Sequence, residues 1–73
     1  MDVQVLAPIA GKILKVFVKN GDVVKESDQL FKLEAMKMEY PIFAPSAGKI
    51  TAINVRENDE VEADDVMLVL SEG

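Results

Sequence analysis

Two side chains that often carry out catalysis, those of cysteine and histidine, are absent from this sequence of 73 residues. It has no cysteine, which excludes disulfides and thiolate-bound metal centres, and no histidine, which removes the usual general base and the commonest transition-metal ligand. Lysine amines and carboxylates remain as groups that could take part in chemistry. This composition argues against an enzyme with catalytic residues of its own and directs attention to the settings of individual lysines.

Lys37 has the most unusual setting, because it lies between Met36 and Met38. Two interpretations are open at this point. If both methionines turn into the core, Lys37 is an ordinary solvated lysine. If they are exposed, they form adaptable apolar contacts beside an amine that another protein could modify. The spacing alone leaves both interpretations open.

Acidic residues dominate the surface charge, which sums to −5. Residues 1–40 carry six lysines and six acids, whereas residues 41–73 carry two basic and seven acidic residues. Because such a surface repels polyanions, we do not expect nucleic acid as a partner. The acid-rich stretch at 57–65 lacks the alternating ligands and glycine of a calcium loop. We therefore interpret it as solvated turns and predict no metal site.

The sequence contains two copies of one pattern. Residues 7–34 align with residues 44–71 at a constant offset of 37, without a gap. The clearest match is APIAGKI at 7–13 with APSAGKI at 44–50. We predict a single domain, residues 1–73, built from two half-repeats that are joined by a hairpin at 35–43.

Short β-strands are the expected elements of each half, because β-branched residues alternate with polar ones and turn-forming residues interrupt every run. The predicted fold is all-β, with about four strands in each half. The apolar positions Ile13, Val16 and Val18 recur 37 residues later, and their spacing breaks the alternation twice in the same place. An extra residue in the strand, a β-bulge, would restore the inward direction.

The predicted core consists of apolar residues at the inward positions of these strands. Its expected members are Val5, Ile13, Val16, Val18, Val24, Leu30, Leu33, Ile42, Ile50, Ile53, Val55, Val61, Leu68 and Leu70.

The junction between the copies contains the Met36–Lys37–Met38 segment. Strands predicted at 29–35 and 38–43 flank it, so the chain must reverse at Met36 and Lys37, with Lys37 at the tip of a hairpin. Glycine and asparagine are the usual residues in such tips. A turn built from methionine and lysine indicates a requirement other than folding. Gly11 and Gly48, which lie at matching positions of the copies, are expected to meet backbone requirements at bends.

The segment Glu34-Ala35-Met36-Lys37-Met38 matches the Glu-Ala-Met-Lys-Met signature of biotin attachment. The sequence resembles the biotinyl domains of biotin-dependent carboxylases and decarboxylases over residues 3–71. The resemblance includes the Ala-Pro-x-x-Gly motifs at 7–11 and 44–48 and the turn at 18–22. The sequence resembles the thumbless type of this domain, since residues 20–23 leave no room for the thumb segment that is inserted in some relatives.

The resemblance implies a flattened eight-stranded barrel or sandwich of two quasi-two-fold-related halves, with the attachment lysine on the central β-hairpin. It also implies that biotin is the cofactor, held as an amide on Lys37. Met36 and Met38 would serve recognition, and Glu34 and Ala35 complete the motif. The protein would be a carrier that has no catalytic residues.

The resemblance implies a biotin protein ligase as the partner that attaches biotin. It also implies a biotin carboxylase and a carboxyltransferase or decarboxylase, and the carrier would move a carboxyl group between the active sites of these enzymes. Insertion into a membrane is not expected, since no apolar run approaches about 20 residues, and the expected location is the cytoplasm. Two alternatives remain. A lipoyl carrier domain typically has Asp-Lys-Ala at its tip, where this chain has Met36 and Met38, and an unmodified interaction module would tolerate Lys37→Arg.

Overall fold

Eight β-strands form within residues 2–72, the part of the chain that the computed structural model describes. The strands are short because turn residues interrupt each apolar run. In chain order they are β1 (Asp2–Leu6), β2 (Gly11–Val16), β3 (Val23–Val24), β4 (Gln29–Ala35), β5 (Met38–Phe43), β6 (Gly48–Ile53), β7 (Glu60–Val61) and β8 (Val66–Ser71). The predicted all-β class is confirmed, and β4 and β5 have the predicted bounds.

The strands form two four-stranded sheets that exchange strands between the halves of the sequence. One sheet has the order β1-β8-β6-β3, and the other has the order β5-β4-β2-β7. Each sheet thus takes two strands from β1–β4 and two from β5–β8. Because of this exchange, neither half of the sequence completes a sheet without the other.

A quasi-two-fold relation between the halves is visible in their hydrogen bonds. The Ala7 amide donates to the Asp65 carbonyl at 2.9 Å, and 37 residues later the Ala44 amide donates to the Asp28 carbonyl at 2.8 Å. The left-handed backbone of Ser27, with a φ of 73°, likewise recurs at Asp64 with a φ of 72°. This symmetry confirms the architecture predicted for the fold.

The predicted irregularity of the strands is a bulge in both copies. The register of β2 against β4 shifts between Ile13 and Lys15, and that of β6 against β8 shifts between Ile50 and Ala52. In each strand, one extra residue separates two inward positions. The break in alternation that the sequence shows therefore has this physical cause.

Most of the predicted core is buried, but three members are only half-buried. Val16, Val18 and Ile53 lie at the margin of the core and pack against it. The prediction was also incomplete, since the following residues are buried as well: Ala7, Phe31, Ala35, Ala44 and Met67.

Phe31 and Met67 were missed because each is buried beside a buried neighbour, Leu30 and Leu68 respectively. Two consecutive inward side chains contradict simple alternation. The pairing of β4 with β5 shifts between Gln29 and Phe31, and this further bulge allows Leu30 and Phe31 to face the core together.

The acid-rich stretch at 57–65 forms two turns, as predicted, but the short strand β7 lies between them and pairs with β2. The Asp59 carboxylate accepts a hydrogen bond from the Arg56 amide at 2.9 Å, and the Asp65 carboxylate accepts one from the Glu62 amide at 2.8 Å. Aspartates 37 residues earlier make the same bonds in the first half. These acids therefore stabilise β-turns through their side chains. Residues 2–72 include no helix that could cross a membrane.

Candidate functional site

The hairpin between β4 and β5 links the two halves along the chain, and it presents Lys37. Ala35 pairs with Met38 at the end of the ladder, which leaves Met36 and Lys37 as a two-residue turn. The φ angles of these residues are 54° and 64°. Positive φ at both central positions is the requirement of a type I′ turn, whose twist matches that of the flanking strands.

The side chains of this turn do not pack into the core. Met36 is 79% exposed, Met38 is 59% exposed and Lys37 is exposed. The interpretation in which both methionines are core residues is therefore wrong. Left-handed backbone costs an L-residue other than glycine or asparagine about 1–2 kcal/mol. The tip therefore combines backbone strain with exposed apolar surface, and neither feature contributes to folding.

Glu34 and Ala35, the first residues of the predicted motif, have different surroundings. Ala35 is buried and Glu34 is exposed on the outer face of β4. Gly11 of β2 lies against both, because a Cβ atom added to Gly11 would overlap the Glu34 carbonyl oxygen and approach the Ala35 Cβ to 3.1 Å. Gly11 thus lets β2 approach closely the end of β4, its neighbour in the sheet.

Gly48 has the matching role at the other end of the molecule, where an added Cβ would lie 2.7 Å from the Ser71 carbonyl oxygen. Gly21 has a φ of 95°, whereas neither Gly11 nor Gly48 has a positive φ. The expectation that Gly11 and Gly48 serve bends is therefore wrong, since they are required for close approach between strands.

A row of charges crosses the outer face of the sheet just behind the tip. Glu39 pairs with Glu34, Glu34 with Lys12, and Lys12 with Glu60. The row therefore contains three acidic residues and one lysine. The directly opposed Glu34 and Glu39 repel each other. The Lys32 ammonium lies 3.1 Å from Glu39 Oε1 and offsets part of this repulsion.

The pairing also brings Tyr40 next to the tip. Tyr40 is half-buried and packs against the core, and its hydroxyl donates a hydrogen bond to Met38 Sδ at 3.7 Å. No pattern in the sequence connected Lys12, Glu60, Tyr40 or Gly11 with the tip. Lys12 and Glu60 join the charge row through pairing between strands that are distant in sequence, and the sequence carries no local signal for such pairing. Tyr40 could have been found from its position two residues after Met38 on the same face.

The ammonium of Lys37 takes part in no hydrogen bond or ion pair with the rest of residues 2–72, where Lys32–Glu39 is the one ion pair. Within the same residues there is no pocket and no group of three side chains that could hold a metal ion. The arrangement therefore offers one chemical feature, an exposed primary amine on a two-residue turn between two apolar side chains.

Comparison with known proteins places this geometry among similar domains. A family model described as "Biotin-requiring enzyme" matches residues 3–70. The mitochondrial methylcrotonoyl-CoA carboxylase subunit alpha of Mus musculus is 57% identical over 37 residues, which are 51% of this chain and 5% of that protein. The biotin carboxyl carrier protein of Streptococcus mutans is 58% identical over 36 residues, which are 49% of this chain and 28% of that protein.

A solved structure, that of a single-chain, multi-domain long-chain acyl-CoA carboxylase, contains the same fold. The two superpose with a TM-score of 0.92 and 29% sequence identity, over 99% of this chain and 7% of that one. The chain thus spans a small part of these similar proteins, from 5% to 28% of their length. Its eight strands in two sheets match a domain embedded in a much larger carboxylase.

Proposed function

Because the chain belongs to the biotin-requiring enzyme family, as a biotin carboxyl carrier domain with covalent biotin as its cofactor, we propose that Lys37 is the attachment residue. The observation that carries this proposal is the strained, exposed turn in which Met36 and Lys37 both have positive φ. A fold under selection for stability alone would use asparagine and glycine there. The turn instead carries methionine and lysine, whose long exposed side chains another protein could contact.

The surroundings of Lys37 fit an amide-linked group. The amine is exposed and unpaired within the described residues, so acylation breaks no stabilising contact. In the attachment reaction, the Lys37 nitrogen would lose a proton and attack an activated acyl carbon, forming an amide as the activating group leaves. When bound, biotin carries a carboxyl group on its ring. The hairpin keeps the attachment point away from the body of the domain.

The other motif residues would serve recognition and presentation. Met36 and Met38 offer apolar, adaptable contacts to the protein that modifies Lys37. Buried Ala35 anchors the turn to the core, and its small side chain leaves room for Gly11 of β2. Glu34 contributes negative charge behind the tip, where a partner with basic groups would gain favourable contacts.

The proposed partners are a biotin protein ligase, which charges Lys37, and then the biotin carboxylase and carboxyltransferase or decarboxylase sites between which the carrier moves. Covalent tethering raises the effective concentration of the carried group at each site. Residues 1–73 act in this proposal as one carrier domain without catalytic residues, and the cytoplasm is the proposed compartment. These assignments draw on the carboxylases to which the chain is similar.

Incubation with a biotin protein ligase, biotin and ATP tests the proposal. We expect the intact mass to increase by one biotinyl group, and peptide mapping to place that group on Lys37. A lipoate ligase with lipoate should add nothing, because Met36 and Met38 replace the residues typical of a lipoyl tip. The proposal fails if an established carrier is labelled in the same mixture and this chain is not, or if the label maps to another lysine.

Met36→Asn should stabilise the fold and impair labelling at the same time. Asparagine tolerates left-handed backbone, so the free energy of unfolding should rise by about 1 kcal/mol. The melting temperature should then rise by roughly 4–8 °C in a domain of this size. Loss of an apolar contact with the ligase should lower kcat/KM for biotinylation about tenfold. Thermal unfolding and a steady-state labelling assay measure the two effects.

Ser27→Asn is the matched control. Ser27 also has positive φ, but it lies just before the first residue of β4, whereas the tip follows the last. It should raise the melting temperature without changing labelling. Wild-type labelling kinetics in Met36→Asn would show that the ligase does not use the Met36 side chain.

A further inference from the structure

Tyr40 connects the core of the domain to one of the two methionines at the tip. Its cross-strand partner is Leu33, which is fully buried, and the partner of Met38 is buried Ala35. Tyr40 and Met38 therefore lie on the inner face of β5 as alternate residues. The Tyr40 ring packs against the core, while its hydroxyl reaches Met38 Sδ at 3.7 Å.

Met36 and Met38 differ in how they are held. Met38 accepts the Tyr40 hydrogen bond and is 59% exposed, whereas Met36 is 79% exposed. Within residues 2–72, no hydrogen bond involves the Met36 side chain. The two methionines that flank Lys37 are therefore unequal, with one anchored to the core and one not.

We propose that Tyr40 is a positioning residue that holds the Met38 thioether ready for the biotin protein ligase. The inference rests on the proposed function, because it concerns how the tip is recognised. It adds that recognition of Met38 is preorganised through the Tyr40 hydroxyl, while Met36 adapts on contact.

The physical basis is the conformational freedom of methionine. A methionine has three rotatable side-chain bonds, and ordering them on binding is costly. A side chain that is already held in one conformation loses less entropy when the ligase closes on it, so binding strengthens without any new contact. This entropic advantage acts when the ligase binds the tip and not during the chemical step. It should therefore appear in KM and leave the acylation of Lys37 unchanged.

Tyr40→Phe removes the hydroxyl and keeps the ring that packs against the core. The hydroxyl is exposed in its bond to Met38, so the melting temperature should stay within about 3 °C of the wild type. We expect KM for the carrier in biotinylation to rise about two- to fivefold, the scale of a weak contact to sulfur, with kcat unchanged. An unchanged KM, or a loss confined to kcat, overturns the proposal.

A double-mutant cycle with Met38→Leu separates positioning from direct contact. Leucine keeps the apolar bulk and lacks the acceptor sulfur, so Tyr40→Phe should have no effect in the Met38→Leu background. The same cycle with Met36→Leu should leave the Tyr40→Phe effect intact. If the effect persists without the Met38 sulfur, the ligase contacts Tyr40 itself and the positioning role is wrong.

A measurement without ligase keeps this inference separate from the proposed function. NMR relaxation of methionine methyl groups should show that Tyr40→Phe increases the mobility of Met38, while Met36 and buried Met67 are unchanged. Failure of the wild type to accept biotin would overturn the proposed function and, with it, the role in recognition. Normal labelling with unchanged Met38 mobility in Tyr40→Phe overturns the positioning role alone.

Discussion

Lys37→Arg should abolish biotin labelling while the fold is unchanged. Arginine keeps the positive charge and the long stem, but its guanidinium does not act as an amine nucleophile at neutral pH. Lys37 is exposed and makes no ion pair within residues 2–72, so the melting temperature should stay within about 3 °C of the wild type. Intact mass after labelling, together with circular dichroism, measures both outcomes.

The duplication provides two controls for this experiment. Lys12 lies in the charge row behind the tip, and Lys49 occupies the matching position at the opposite end of the molecule. Lys12→Arg and Lys49→Arg should both be labelled like the wild type. Label that survives in Lys37→Arg would show that another amine is the acceptor and would refute the attachment site proposed here.

Ile50→Asp should unfold the domain and remove most labelling. Ile50 is fully buried in β6, and a carboxylate there would be desolvated without a partner. We expect a loss of at least about 4 kcal/mol, which is comparable with the whole stability of a small domain. The β4–β5 turn requires packing of the sheets, so the unfolded chain would present Lys37 without its turn. Denaturation curves and labelling kinetics measure the two losses.

The adjacent Thr51→Asp is the matched control, because Thr51 is exposed at the bulge of the same strand. It should remain folded and be labelled normally. If unfolded Ile50→Asp were labelled as fast as the wild type, the ligase would recognise a linear segment, and the strained turn would have no part in recognition.

The tip departs from the rules of a stable hairpin in two places. Met36 and Lys37 occupy left-handed backbone, and Glu34 and Glu39, the second cross-strand pair from the turn, repel each other. Elsewhere aspartates stabilise the turns and apolar residues form the core, and single left-handed residues such as Ser27 and Asp64 lie within those turns. Within residues 2–72, two consecutive left-handed residues occur only at this hairpin, and such a concentration of local conflict is the pattern expected of a functional site.

Much of the fold and the placement of Lys37 at a hairpin tip could be predicted from the sequence, because the determining features are local or repeated. Alternation and turn residues indicate the strands, and β4 and β5 have the predicted bounds. The repeat at an offset of 37 predicted the quasi-two-fold symmetry and the bulges after Ile13 and Ile50. The placement of Lys37 at a hairpin tip follows from the strands on either side of it.

Only the tertiary structure decided how the strands combine, since pairing joins residues that are far apart in sequence. It showed that the two sheets exchange strands between the halves, and that a further bulge, in β4, buries Leu30 and Phe31 together. It also showed that Gly11 is required for the close approach of β2 to β4, whereas a bend was expected at this position. The exposure of Met36 and Met38 was undecided until the packing was known. Alternation assigns a side chain to one face of a strand, and whether that face is covered depends on what the rest of the chain places there.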